Sequence, residues 1–167
     1  TLVGPGDEFI TTDPGWKWPV QFAADSGARV VEIPIYDAAQ NFKLTPQQLA
    51  HAITEKTRLV YLVDPNNPLG ICYSRDEINA FATICRDAGV YLIHDCTYRH
   101  FAYEHTLAAE FYPERTITTY SFSKWLGLAG LRVGAVVAAG DVLERLAAAP
   151  PNNLGSNVLS QRAAIAG

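Results

Sequence analysis

Short apolar, β-branched segments alternate with helix-type patterns along most of this 167-residue sequence. Such alternation is typical of βαβ units, in which successive strands lie parallel and helices cover both faces of the sheet. Several segments are apolar almost throughout, as strands covered on both faces must be. The sequence therefore predicts an α/β fold of three layers, α/β/α, around a mostly parallel sheet. The predicted strands span residues 8–11, 29–33, 58–63, 90–94, 116–121 and 131–138.

Two helix starts are marked by capping boxes. Thr45 with Gln48, and Ser74 with Glu77, have the spacing at which hydroxyl and side-chain acceptor satisfy backbone amides reciprocally. The helix that follows Ser74 is predicted to end at Gly89, which tolerates a left-handed backbone. Helical patterns are also present over 141–149, before the Pro150-Pro151 pair, and at the C-terminal end of the sequence.

Charge and hydropathy exclude several function classes. The net charge of −4 and the pI of about 5.5 provide no basic field for a polyphosphate backbone, so nucleic acid is not an expected partner. The sequence has no apolar run of the roughly 18 residues that a membrane-spanning helix needs, and its first residues lack a signal-peptide pattern. We therefore expect a cytoplasmic protein without a membrane segment.

The cysteines and histidines show no disulfide or metal-binding spacing. The three cysteines form no CxxC pair, which favours a reducing compartment. The four histidines lie apart in the sequence, so no metal site is expected. These residues are Cys72, Cys85 and Cys96, and His51, His94, His100 and His105.

Polar and aromatic side chains follow the first, third, fourth and fifth predicted strands. In an open α/β sheet, ligands bind beyond the carboxyl ends of the strands, so these residues are expected to surround one cavity. Taken singly, each has a common structural explanation: a turn, a cap, aromatic packing or a solvated lysine. Taken together, they complement a phosphorylated aromatic aldehyde. The residues are Trp16, Asn67, Asp95, Tyr98, Ser121, Ser123 and Lys124.

Each part of such a molecule has a matching group in this set. The Lys124 amine can condense with the aldehyde, and the Asp95 carboxylate can keep a ring nitrogen protonated. Tyr98 and Asn67 can donate hydrogen bonds to a ring hydroxyl without adding charge. The remaining assignments are Ser121, Ser123 and Arg132 to the phosphate, and Trp16 to the face of the ring.

The same residues carry a resemblance to a known family. The run SFSKWLGLAGLRVG at 121–134 resembles the SxSKxxGxxGxRxG signature of the fold-type I, class I/II aminotransferases. The run NPLG at 67–70 resembles their NPxG turn, and DCTY at 95–98 resembles their DxxY motif. Residues 4–16 are similar to the stretch in which the family places its ring-stacking aromatic residue. The resemblance covers nearly the whole chain.

The resemblance implies both a fold and an activity. It implies the large-domain fold of the pyridoxal phosphate (PLP)-dependent transferases, with strand 131–138 antiparallel at an exposed apolar edge and cis bonds before Pro14 and Pro68. It also implies that Lys124 binds PLP as a Schiff base and, once freed, shuttles the proton of the substrate α-carbon. The implied reaction moves an amino group between an amino acid and a 2-oxo acid, in a homodimeric full-length protein.

The resemblance further implies that residues 1–167 are only part of the large, PLP-binding domain. The family's N-terminal segment, with its glycine-rich phosphate turn, and its C-terminal small domain, with the arginine that binds the substrate carboxylate, are absent. We therefore expect this chain alone to turn over poorly or not at all. Cys96 and Thr97 depart from the family's usual residues, and His94 is expected to be a buried, satisfied histidine rather than a partner of Asp95.

Other functions use the same cofactor site or the same fold. A C–S β-lyase, a decarboxylase or a synthase would share the PLP contacts and differ in how the substrate bonds are aligned with the ring. A non-catalytic regulatory domain could reuse the fold, although it would have no reason to keep every cofactor contact. A dinucleotide-binding oxidoreductase is disfavoured, because no GxGxxG follows any predicted strand.

Overall fold

The computed structural model describes residues 2–149 and 155–167, which are built around one six-stranded sheet in the order β2-β1-β3-β4-β5-β6. Neighbouring strands are parallel, except that β5 and β6 pair antiparallel. The mostly parallel sheet with one antiparallel strand is thereby confirmed. The strands are β1 (Glu8–Asp13), β2 (Arg29–Pro34), β3 (Thr57–Val63), β4 (Tyr91–Asp95), β5 (Thr116–Ser121) and β6 (Gly134–Val137).

The helices cover both faces of this sheet, as a three-layer fold requires. They are α1 (Trp18–Asp25), α2 (Pro46–Ala52), α3 (Arg75–Asp87), α4 (Gly140–Ala147) and α5 (Val158–Ala166). Because alternate strand residues point to opposite faces, α2 and α3 pack on one set of strand side chains and α1 and α4 on the other. On the first face, the helix residues Leu49, Ile78 and Phe81 pack with the strand residues Ile10 and Leu92. On the second face, Ala23 packs with Phe9 and Leu59, and Val142 packs with Ile117.

Both predicted capping boxes are confirmed. Thr45 accepts from the backbone amide of Gln48 at the start of α2, and Ser74 accepts from that of Glu77 at the start of α3. The helical pattern at the C-terminal end is confirmed by α5. The pattern over 141–149 corresponds to α4, which ends at Ala147, and the Pro150-Pro151 pair lies outside the described residues.

Helix α1 was not predicted from the sequence. Its N-cap residue, Lys17, makes no side-chain capping hydrogen bond, and the helix buries only Ala23. Trp18 and Phe22 are 64% and 65% exposed, so no apolar stripe marks a buried face. Without a capping side chain or an apolar stripe, the only local signal for this helix is Pro19 in its first turn.

Strand β6 is shorter than the predicted range 131–138. The chain forms a 3-10 turn at Ala129–Leu131, and Arg132 has a left-handed backbone with φ of 52°, so pairing with β5 begins only at Gly134. A Cβ atom on Gly134 would lie 2.7 Å from the Tyr120 carbonyl oxygen, so glycine permits this close pairing. The strand lies at the sheet edge with Val136 and Val137 exposed, as expected.

The cis peptide bonds predicted before Pro14 and Pro68 are present, and a third precedes Pro65. Among the described residues, none of the helices combines the length and the apolar character needed to cross a membrane.

Candidate functional site

A cavity of about 380 Å³ opens beyond the carboxyl ends of β1, β3, β4 and β5. These four strands are consecutive neighbours in the sheet, so the segments that leave them meet at one mouth. The structure brings every predicted site residue to this cavity: Trp16, Asn67, Asp95, Tyr98, Ser121, Ser123, Lys124 and Arg132. Trp18, Val63, Thr97 and Ala129 also line it and were not predicted.

Asp95, the last residue of β4, is held by three hydrogen bonds. The Tyr61 hydroxyl donates to Oδ2 over 2.5 Å. The Thr97 hydroxyl and the Thr97 backbone amide donate to Oδ1 over 2.6 and 3.0 Å. Burial, reinforced by the negative charge of Asp95, raises the pKa of Tyr61 far above its ordinary value, so its hydroxyl stays protonated.

Asn67 and Tyr98 lie close together on the same side of the cavity. The Asn67 amide nitrogen is 3.5 Å from the Tyr98 hydroxyl oxygen, and both side chains are half-buried. The turn that carries Asn67 is held by Asn66, whose side-chain oxygen accepts from the Leu69 amide over 3.1 Å. The two hydrogen-bond donors can therefore converge on a single ligand oxygen.

Lys124 lies on the turn after β5 and lines the same cavity. Its Nζ is 5.9 Å from the centroid of the Tyr98 ring. Within 2–149 and 155–167, no residue forms an ion pair or a hydrogen bond with the Lys124 ammonium group. The amine is exposed and available to a ligand in the cavity.

The segment between β5 and β6 also brings two hydroxyls and a guanidinium to the cavity. The residues directly after Ser121 form a turn and not an α-helix, so the two serines do not cap a helix. Instead, the Ser123 backbone amide donates to the Ser121 Oγ over 3.3 Å within a turn. The exposed Arg132 uses one guanidinium nitrogen to donate to the Ala129 carbonyl over 2.8 Å. The Arg132 side chain also lines the cavity.

Trp16 reaches the cavity by way of a tight turn after β1. A Cβ atom on Gly15 would lie 2.5 Å from the Thr12 carbonyl oxygen, so the turn requires glycine there. The Trp16 ring is 42% exposed and lies 5.7 Å from the Trp18 ring, centroid to centroid. One face of Trp16 is thus supported by a second indole while the side chain lines the cavity.

A buried polar cluster lies behind the site and was not predicted from the sequence. The Nε2 atoms of His94 and His105 lie 3.5 and 3.3 Å from Asp64 Oδ2, and the two rings stack. Burial raises the pKa of Asp64, but hydrogen bonds from both histidines outweigh this and lower it to about 2. His94 is fully buried and pairs with Asp64 rather than with Asp95, as expected of a structural histidine.

Ligand atoms of His94, Cys96 and His105 lie within 4.8 Å of one another, although the sequence spacing showed no metal pattern. The Ala108 backbone amide donates to His94 Nδ1 over 3.2 Å, so Nε2 carries the proton and donates towards Asp64. The His94 ring thus lies between the Ala108 amide and the Asp64 carboxylate.

The family model for class I and II aminotransferases matches residues 1–167. The chain belongs to this family. Aspartate aminotransferase of Pyrococcus horikoshii is 34% identical over 87% of the chain and 38% of that relative. Histidinol-phosphate aminotransferase of Moorella thermoacetica is 33% identical over 99% of the chain and 43% of that relative. This aminotransferase-family chain thus spans about two fifths of the length of known relatives.

Solved structures of aminotransferases share the fold. Aspartate aminotransferase from Thermus thermophilus with maleate superposes with a TM-score of 0.92 at 27% identity, over 98% of this chain and 44% of that one. N-succinyldiaminopimelate aminotransferase from Mycobacterium tuberculosis gives a TM-score of 0.89 at 29% identity, over 98% and 44%. The family chain therefore has the fold of the corresponding part of these enzymes.

Proposed function

We propose that the full-length protein is a PLP-dependent aminotransferase that moves an amino group between an amino acid and a 2-oxo acid. One observation carries the proposal: a free amine, a half-buried carboxylate and a pair of neutral donors surround one cavity. These groups are Lys124, Asp95, and Asn67 with Tyr98. Membership of the aminotransferase family supports the same conclusion.

The residues around the cavity fit PLP group by group. Asn67 and Tyr98 offer donors to the ring hydroxyl, and Trp16 offers an aromatic surface to the ring face. Ser121 and Ser123 lie beside Arg132, whose guanidinium suits a phosphate. When bound, PLP supplies an aldehyde for the amine and a cationic ring that withdraws electrons from the substrate.

The residues of this chain have distinct tasks in that reaction. Lys124 would hold the cofactor through its amine and could move the proton of the substrate α-carbon. Asp95 would hold a proton on the ring nitrogen. Trp16 would lie against the ring face. The geometry also suits lyases of the same fold, but the similar proteins identified above are aminotransferases, which favours amino-group transfer.

We propose that residues 1–167 form part of a large, PLP-binding domain of a homodimeric, cytoplasmic enzyme. The share of the known relatives that the chain spans supports the first point. The cysteines Cys72, Cys85 and Cys96 are all unpaired thiols, which suits a reducing compartment.

Borohydride reduction of the full-length protein tests the proposal. The visible absorption band of the bound cofactor is expected to bleach, and peptide mapping is expected to find the label on Lys124. Lys124→Ala is expected to lose the band and at least about a thousandfold of amino-transfer activity. Lys56→Ala, which removes an exposed lysine from the opposite end of the sheet, is the matched control and should change neither.

A label on any other lysine would contradict the site assignment. Steady release of ammonia and a 2-oxo acid without an amino acceptor would instead identify a lyase.

A further inference from the structure

We infer that Tyr61 and Thr97 are positioning residues that fix the Asp95 carboxylate and moderate how strongly it holds a proton on the cofactor's ring nitrogen. The inference rests on the proposed function and deepens it. It begins from the three hydrogen bonds to Asp95, of 2.5, 2.6 and 3.0 Å, none of which the sequence motifs indicated.

The donors leave one place on the carboxylate for a ligand. A carboxylate has two oxygens with about four lone-pair sites in total. Thr97 fills both sites of Oδ1, with its hydroxyl and its backbone amide. Tyr61 fills one site of Oδ2. The free site is therefore on Oδ2, so a ring nitrogen facing Asp95 would share that oxygen with Tyr61.

Both donors are held in place. Tyr61 is 4% exposed in the middle of β3, and its ring stacks on Phe9 with a centroid distance of 6.2 Å. The neighbouring Val63 pairs with Asp95 in the sheet, which puts Tyr61 on the same face as the carboxylate. Thr97 binds Asp95 through its backbone as well as its side chain. The Asp95 carboxylate is thus held by Tyr61 from the sheet and by Thr97 from the turn that follows β4.

No other side chain in the described ranges donates a hydrogen bond to the Asp95 carboxylate. Tyr98, Lys124 and Arg132 are the titratable groups that share its cavity. The neighbouring Cys96 thiol is buried, and burial raises its pKa far above the ordinary value, so it stays neutral. The His94 side chain lies on the face of β4 opposite to that of Asp95, where it pairs with Asp64.

Hydrogen bonds stabilise the charged form of a carboxylate. Each donated hydrogen bond therefore lowers the affinity of the carboxylate for a further proton, such as the one on the ring nitrogen. Because Tyr61 shares Oδ2 with the ring nitrogen, its effect on that proton is expected to exceed the effect of Thr97. The strength of the electron sink would then be set partly by a core tyrosine that never touches the substrate.

Nitrogen NMR of the full-length protein, loaded with ring-labelled PLP, tests the inference. In Tyr61→Phe, the ring-nitrogen resonance should move towards the protonated value and its titration midpoint should rise by about one pH unit, a tenfold gain in proton affinity. Thr97→Val should give a smaller rise, since the backbone donor remains. An unchanged or lowered midpoint in Tyr61→Phe would overturn the inference.

Tyr73→Phe is the matched control. Tyr73 is also a buried tyrosine, 3% exposed, and its hydroxyl accepts a hydrogen bond from the Leu44 amide, away from the cavity. Its loss should lower stability without moving the ring-nitrogen midpoint. If the ring-nitrogen midpoint of Tyr73→Phe shifted as much as that of Tyr61→Phe, the effect of Tyr61 would be one of general packing, which would contradict the inference.

A second measurement does not depend on the cofactor. In the cofactor-free protein, the Tyr61 hydroxyl proton lies between two oxygens 2.5 Å apart and should give a downfield proton resonance. That resonance should be absent from Tyr61→Phe, and its absence from the wild type would refute the geometry. If the wild type binds no PLP on Lys124, the proposed function fails and the inference fails with it. If PLP is bound but the midpoint does not respond, the inference alone fails.

Discussion

Two carboxylates at opposite ends of the sheet have contrasting surroundings. Glu8 opens β1 and accepts from Arg29 on Oε1, over 3.1 and 2.7 Å, and from Thr54 and Thr57 on Oε2, over 2.7 and 3.3 Å. All its lone-pair sites are filled. Asp95 closes β4 with three donors and one free site, which faces the cavity.

The difference separates a carboxylate that stabilises the fold from one that can bind a ligand. Glu8 ties three segments together and has no capacity left for a further donor. Asp95 is held almost as firmly, yet keeps one acceptor site open. Both carboxylates are strongly hydrogen-bonded, so hydrogen bonding by itself does not distinguish them. They differ in the number of acceptor sites that remain unfilled. Substitutions at the two residues should accordingly affect different properties.

The largest expected effect is that of Asp95→Asn on activity. An uncharged amide cannot keep a proton on the ring nitrogen, so amino transfer by the full-length protein should fall by roughly a thousandfold. Steady-state kinetics with an amino acid and a 2-oxo acid measures the loss, and the absorption band of bound PLP checks that the cofactor remains. Activity within about tenfold of the wild type would remove the distinction drawn between the two carboxylates.

Glu8→Gln is expected to have the opposite profile. The substitution removes the charge that Arg29 and the two threonine hydroxyls stabilise, so the free energy of unfolding should fall by about 2 kcal/mol. Urea unfolding followed by circular dichroism measures the change. The activity of the folded protein should stay within about twofold of the wild type, since the cavity lies at the other end of the sheet. A large loss of activity in the folded variant would show that the two ends are coupled.

The stabilisation by Glu8 should depend on pH. Hydrogen bonds from Thr54 and Arg29 lower the pKa of Glu8 below its ordinary value of 4.5. A lowered pKa in the folded state stabilises the protein above the unfolded-state value, and this contribution is lost as the pH falls through the folded-state value. The difference in unfolding free energy between wild type and Glu8→Gln should be constant near neutral pH and shrink below 4.5. Unfolding measured at a series of pH values checks this, and a difference that grew in acid would contradict the assignment.

The smallest expected effect is that of Thr54→Val, which removes one donor from Glu8. The remaining donors still hold the carboxylate, so the loss of stability should be about 1 kcal/mol. Thermal unfolding measures the loss of stability in this variant and in Thr97→Val. Cofactor binding and the ring-nitrogen titration are measured separately in both variants. Thr54→Val should leave cofactor binding untouched, whereas Thr97→Val should change the ring-nitrogen titration.

The sequence by itself was sufficient for most of the architecture. Strand β5 has the predicted bounds, and both capping boxes form as predicted, because hydrophobic periodicity and capping depend on residues a few positions apart. The motifs that contain Asn67, Asp95 and Lys124 lie at or just after the carboxyl ends of strands, so a parallel sheet brings them to the same cavity. Helix α1 was not predicted, because it has neither a capping side chain nor an apolar stripe.

Only the tertiary structure decided which side chain from a neighbouring strand binds Asp95, whereas Thr97 binds it from two positions along the chain. Tyr61 lies 34 positions away along the chain, and its contact depends on the strand order and on the register that pairs Val63 with Asp95. The same register puts His94 on the opposite face, against Asp64. Local patterns alone do not fix the register between strands that are distant in sequence, because register also depends on which strand faces are buried together in the sheet. The motifs thus indicate which residues reach the cavity, while the sheet determines which of their atoms remain free to act.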